Sequence, residues 1–237
     1  MTFRPLPGIT IAAALLMALL VWLGAWQVER LHWKLDLIAR VGAHMTAPPL
    51  SLDAILAMPA DTAQYRRVTL HGRFDHAQEN YVFATGADGT PAYHVLTPFQ
   101  TDGGRLLLVD RGEVPKEKLA PAARAAGNVV GETAVTGVWR TPDAPGPFTP
   151  APNLAKRIWY ARDLAGIARA DHLRLAAPVL VEADATPNPR GWPKGGQTVV
   201  TFRNQHLSYA ITWFALAAGL FGVWLAYHVS KGRISFK

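Results

Sequence analysis

The chain contains no cysteine. That excludes a disulfide, a thiolate metal site and a Cys-based redox motif. With only four methionines, Met1 and Met17 among them, it is not expected to deliver copper either. Charge is scarce: Asp, Glu, Lys and Arg make up 17% of the residues, below the usual share in a soluble domain. No acidic residue lies outside Glu29–Asp184. Four basic residues near the ends, Arg4, Lys231, Arg233 and Lys237, therefore stand unopposed. The region between holds twenty basic and seventeen acidic residues, an excess of three, with no run of like charge. A net charge of +7 spread in this way does not mark a nucleic-acid face.

Catalytic signatures are lacking too. There is no G-x-S-x-G elbow, no phosphate-cradling loop and no H-E-x-x-H. Gly86 to Gly89 reads as a turn. Asp102 and Asp110 have nothing to set them apart as an acid/base couple. His71 and His76 are five apart, but a turn over 72–75 separates them, so no metal is expected there. The chain is not expected to be an enzyme. No internal repeat is visible.

Two long apolar runs are present. Leu6 to Trp26 has no charge in twenty-one residues and would reach about 31 Å as a helix, a bilayer's hydrocarbon thickness. Leu207 to His228 is the second, again without a formal charge. Neither has the polar stripe of a soluble core helix, and aromatic rings lie near their ends. The first run is longer than a signal-peptide core and no A-x-A site follows it, so an uncleaved anchor is expected. The basic flanks place both termini in the cytoplasm and the intervening region outside. The expected organisation is a membrane span over 6–26, continuing as a helix to about residue 41 and stopping at Gly42. A periplasmic β-rich domain over 42–204, a second span over 207–228 and a cytoplasmic tail over 229–237 follow.

Pro48 and Pro49 break the chain, and Ser51 caps a short helix to Met58. Strand signals then dominate: Tyr65 to Phe74, Asn80 to Thr85, Ala92 to Phe99, Arg105 to Gly112, Glu132 to Arg140, Ala177 to Ala183 and Gln197 to Asn204. Thr101 to Gly104 is a hairpin turn. Pro142 to Pro152 is a proline-rich loop. Arg157 to Ala170 reads as a short strand followed by a helix capped at Asp163. The fold class is a membrane protein of α+β type, two transmembrane helices flanking a mostly antiparallel β domain, barrel or sandwich, with short helices.

One histidine stands apart. His206 sits where the domain becomes the second span. In a helix starting near Gln205, His206, Tyr209 and Trp213 fall at i, i+3 and i+7 and share a face. An interfacial His that caps the helix is one reading. An axial haem ligand is the other. Arg30, Lys34 and Arg203 lie at the same level, either to pair with propionates or to snorkel to headgroups.

Four blocks carry a family resemblance. Leu23 to Lys34, "LGAWQVERLHWK", resembles the G-x-W-Q-x-x-R-x-x-W-K run of the Surfeit locus protein one family. Tyr65 to Asp75 is similar to its Y-R-R-V strand. "HVLTPF" and "LLLVDRGEVP", Leu106 to Pro115, are similar to its H-V-x-T-P and R-G-W-V-P blocks, with Glu113 in place of the usual Trp in what reads as a loop. Asn204 to Ala217, "NQHLSYAITWFALA", resembles its motif entering the second span. The resemblance implies an assembly factor for cytochrome c oxidase in the bacterial cell inner membrane, acting in respiratory chain biogenesis. It implies haem a as a transient cofactor, and as partners oxidase subunit I, the haem a synthesis machinery and membrane lipid. It places the haem ligand on His206, with Tyr209, Trp213, Trp26, Arg30, Lys34 and Arg203 around it. The alternative is a scaffold that holds a nascent oxidase subunit without haem. Ala218 and Gly222 would allow close helix contact, with the first span or with a partner.

Overall fold

The computed structural model describes residues 2–86, 89–142, 145–198, 200 and 202–235. The chain divides into a helical unit, Met1–Arg40 with Thr201–Lys237, and a domain, Val41–Val200.

The helical unit is built from α1, Pro7–Thr46, and α5, His206–Ser230. Both are long and apolar enough to cross a membrane, and only 11% of each apolar window is buried. A soluble core helix would be mostly covered, so these are the helices of a membrane protein. Gly42 does not end α1. The helix runs on to Thr46, where Pro48 and Pro49 deny it further amide donors.

Leu20 and Gly24 are buried on α1, and Ala210 and Ala217 on α5. These one-turn and two-turn spacings define the facing stripes. A β-carbon on Gly24 would come within 2.7 Å of the Phe214 ring, so the ring fills the place of the missing side chain. Small residues do mediate the contact, but not those expected. Ala218 is exposed, and a β-carbon on Gly219 or Gly222 would meet nothing within 4 Å. At the far end from the domain connections, His228 is fully buried. Its Nε2 accepts from the Leu6 amide at 3.1 Å and its Nδ1 donates to the Trp224 carbonyl at 2.8 Å. Beyond it the tails pair as strands, β1 (Thr2–Phe3) with β10 (Ile234–Ser235).

The domain is an antiparallel-rich barrel. β2 is Leu50–Ser51, β3 Arg67–Phe74, β4 Asn80–Thr85, β5 Pro91–Thr101, β6 Leu106–Pro115, β7 Thr133–Arg140, β8 Ile158–Trp159 and β9 Leu180–Ala183. The sheet order is β2-β3-β7-β9-β6-β5-β4-β8, and a further β3–β5 pairing closes a five-stranded ring. Gly72 makes the closure possible. It pairs with both Thr133 of β7 and Thr101 of β5, and a β-carbon there would lie 2.1 Å from the Gln100 carbonyl oxygen. What reads as a turn over 72–75 is therefore strand as far as Phe74.

Alternation sends Val68, Leu70, Phe99, Leu107, Val109 and Val181 into the barrel. The short helices α2, Leu52–Leu56, and α3, Ala60–Ala63, add Ile55 and Ala63 to that core. Ser51 caps α2 by accepting from the Ala54 amide. Outside the ring, α4, Leu164–Ala170, covers Leu96, Leu108 and Leu180 with Leu164 and Ile167. Its cap is Asp163, which accepts from the Gly166 amide at 2.8 Å.

Two expectations fail. Among the described residues of 197–204 there is no strand; the sheet is already closed and edged without it. Glu113 lies in β6 and not in a loop. Its amide and carbonyl pair with Lys194, main-chain bonds that are indifferent to the side chain. Ala87 and Asp88 of the Gly86–Gly89 turn, and Asp143 and Ala144 of the proline-rich loop, lie outside the described residues.

Candidate functional site

The expected site residues all belong to the helical unit. His206 is the first residue of α5, and its amide donates to the Asn204 side chain at 3.3 Å. Its ring reaches across to α1, where Nδ1 lies 2.8 Å from Gln27 Oε1. A carboxamide oxygen can only accept, so Nδ1 carries the proton and Nε2 holds the lone pair. Nε2 has no hydrogen-bond partner among the described residues. His228 on the same helix spends both ring nitrogens on the backbone. A histidine oriented by one nitrogen and open at the other is the arrangement that metal-ligating imidazoles use.

Gln27 follows Leu20 and Gly24 at helical spacing, so it extends the interhelical stripe. The sequence alone gives Gln27 no role. Nothing in one sequence pairs residues 179 positions apart.

Among the described residues, His206, Tyr209 and Trp213 make no ring contact with one another. Among the described residues of the helical unit, rings meet only around His228: Phe221 on Trp224, and Trp224 and Tyr227 on His228. Tyr209 is 51% exposed and Trp26 43%, while Trp213 is half-buried. The face of α5 toward α1 carries His206, Ala210, Phe214 and Ala217, which turns Tyr209 outward. The cations are not at the histidine either. Arg30 lies 4.4 Å over the Trp33 ring, and Lys34 lies 4.8 Å over Phe202. Arg203 is exposed, and none of the three pairs with a carboxylate among the described residues. The described residues hold no cluster of three or more His, Asp or Glu fit for a metal ion.

The domain holds two buried polar networks that the sequence reading missed. In the first, His94 Nδ1 meets Asp110 Oδ2 at 2.8 Å, with Arg162 at 3.3 Å from the same carboxylate. His94 stands at an irregularity in the β5–β6 register. The pair resembles a catalytic dyad, but the cavity beside it measures about 10 Å³, room for one water and not for a substrate. Burial opposes the charged form of each partner, and their mutual attraction prevails: His94 is pushed up and Asp110 down. The His94 contribution to stability is therefore complete below the unfolded histidine pKa and is lost as pH rises through the higher folded value. The Asp110 contribution is lost as pH falls through its lowered value. His94→Gln should flatten the alkaline limb of a stability–pH curve and also weaken the acid limb, because His94 is the first of the groups that lower Asp110. An unchanged alkaline limb, read by thermal unfolding from pH 6 to 9, would show that the pair is not the source.

In the second network Arg111, Arg124 and Glu79 are 2%, 5% and 3% exposed. Glu79 lies 3.1 Å from Arg111 and 2.5 Å from Arg124. Burial raises its pKa, but hydrogen bonds from His76 and Arg124 outweigh that and hold it at about 2. Burial pushes Arg111 down to about 10.

Comparison with known proteins bears on the whole chain. A model of the SURF1 family matches residues 14–218. Surfeit locus protein 1 of Takifugu rubripes is 36% identical over 228 residues, 90% of this chain and 93% of the relative. The Homo sapiens protein of that name is 36% identical over 219 residues, 85% of this chain and 71% of the relative. A SURF1-like protein of Drosophila melanogaster is 36% identical over 234 residues, 90% and 75% of the two chains. With the barrel, the motif blocks and part of each long helix inside the matched span, the chain belongs to the SURF1 family.

Proposed function

We propose that this membrane protein is an assembly factor for cytochrome c oxidase rather than an enzyme, and that it binds haem a through His206 and assists its insertion into subunit I. One observation carries the reading: His206 is fixed by Gln27 through Nδ1, and among the described residues its Nε2 has no partner. The donor set fits a single axial ligand, with apolar helix surface beside it for a macrocycle. Haem a itself supplies the redox iron of the oxidase, so the assembly factor has to hold the group and then release it. Arg30, Lys34 and Arg203 have no carboxylate partner among the described residues and are suited to propionates; Trp26, Tyr209 and Trp213 offer ring surface. The partners in this reading are subunit I, the haem a synthesis machinery and lipid. Arg4, Lys231 and Arg233 beyond the spans favour cytoplasmic termini and a periplasmic domain in the cell inner membrane. An alkaline phosphatase fused after Gly103 should be active, and an inactive fusion would reverse that topology.

A second reading, a scaffold without haem, draws on the open surface at Gly219 and Gly222, where a partner helix would pack closely. A His206→Ala strain separates the two. The haem reading expects membranes depleted of assembled oxidase, with the variant present at normal levels. Normal oxidase content would leave the scaffold.

A further inference from the structure

β3 ends at Phe74, β6 at Pro115 and β9 at Ala183, while β7 begins at Thr133. β6 and β9 are parallel, and β7 is antiparallel to β3 and β9. These four ends therefore form one mouth of the barrel. Alternation that sends Leu70, Val109, Val135 and Val181 inward places Phe74, Arg111, Thr133 and Ala183 on the same side near these ends. Together with Val135 and Asn188, they line a cavity of about 260 Å³. Barrel mouths of this size are filled by side chains or hold one small ligand.

Filling alone does not account for Arg111. Its neighbours on the inward face are apolar, yet this position carries a guanidinium, 5.0 Å from the Phe74 ring. Nη1 donates to Glu79 and Asn128, and Nη2 to the Gly127 carbonyl. Its Nε–H has no partner among the described residues. Glu79 is shared with Arg124, so two buried cations face one buried anion. The excess positive charge is costly in a low-dielectric interior unless another anion meets it. Asp184, the acidic residue that lines the cavity, is occupied by Arg67 at 3.3 Å. The remaining walls combine apolar residues, among them Phe74, Val129, Val135 and Ala183, with the neutral polar Thr133, Thr136, Thr186 and Asn188.

We propose that this mouth binds a small organic carboxylate, with Arg111 meeting the charge and Phe74, Val135 and Ala183 enclosing the apolar body. Arg111 is the single cation among the lining residues and Asp184 lines the same cavity, which suits a monocarboxylate and disfavours the higher charge of phosphate. The site is independent of His206. The full chain in detergent micelles would be titrated with benzoate, its neutral analogue benzyl alcohol, and inorganic phosphate. Binding would be read by saturation-transfer NMR. Benzoate should bind in the millimolar range or tighter, with benzyl alcohol weaker by about tenfold or more and phosphate unable to compete. Arg111→Lys should weaken benzoate by about tenfold because the fork is lost. Ala183→Leu fills the mouth without touching the ion network, and should abolish binding while leaving thermal unfolding intact. Equal binding of benzoate and benzyl alcohol would reduce the site to an apolar hole. Benzoate binding that survives Ala183→Leu would place it elsewhere, and displacement by phosphate would make it a general cation. Each of these, or no benzoate binding at about 10 mM, overturns the proposal.

Discussion

Replacing Glu79 by Gln should cost the domain about 3–5 kcal/mol. The substitution removes no volume. It leaves Arg111 and Arg124, both buried, without the carboxylate that each contacts. For a domain of this length that loss corresponds to a fall in unfolding temperature on the order of 10 °C, read by tryptophan fluorescence in detergent. The exposed Asp53–Arg105 pair, with side chains 83% and 45% accessible, provides the contrast, and Asp53→Asn should change little. Acid acts on the wild type as the substitution does. A carboxyl held at about 2 contributes fully above its unfolded pKa, and that contribution drains away as pH falls toward 2. The variant should lack this acid-sensitive component. Equal stability of the wild type and Glu79→Gln would mean that water already screens the network.

Gln27→Leu should weaken haem a binding by about 10–100-fold, the usual cost of losing the group that orients a metal-bound imidazole. Leucine keeps the interhelical stripe apolar. The hydrogen bond given up is worth only about 0.6 kcal/mol between membrane helices, so the helix pair should persist. Loss of affinity with retained folding is thus the expected split, and Gln27→Glu should restore binding by supplying a stronger acceptor. If Gln27→Leu matches the wild type in affinity and band position, Gln27 does not position the ligand. This expectation rests on the haem reading of His206.

Sequence and structure agree where periodicity and turn chemistry are local. The apolar runs became α1 and α5, Asn80 to Thr85 became β4 without change, and Ser51 and Asp163 cap the helices they were expected to cap. Disagreements arise where the fold decides. Helix propensity carries α1 beyond Gly42 until proline stops it. The 197–204 segment has a strand's composition, but its described residues form no strand; Val199 and Thr201 lie outside the described residues. His206 turns to Gln27 on α1 while Tyr209, one turn on, is exposed, a difference that helical spacing alone does not show. The polar networks were hidden for a different reason. His94, Asp110 and Arg111 stood inside blocks that resemble the family's, but their partners come from other strands, and Glu79 had no motif at all. Buried ion networks join residues distant in sequence, and alternation marks only which side of a strand a residue takes.

The central claim is that His206 holds haem a, and the absorption spectrum of the protein purified from haem a-producing cells tests it most directly. The account predicts a haem a band in the wild type that is lost in His206→Ala, with equal protein recovered and an unchanged far-ultraviolet dichroism spectrum. A wild-type protein that carries no haem, or a His206→Ala variant with the band intact, would contradict it.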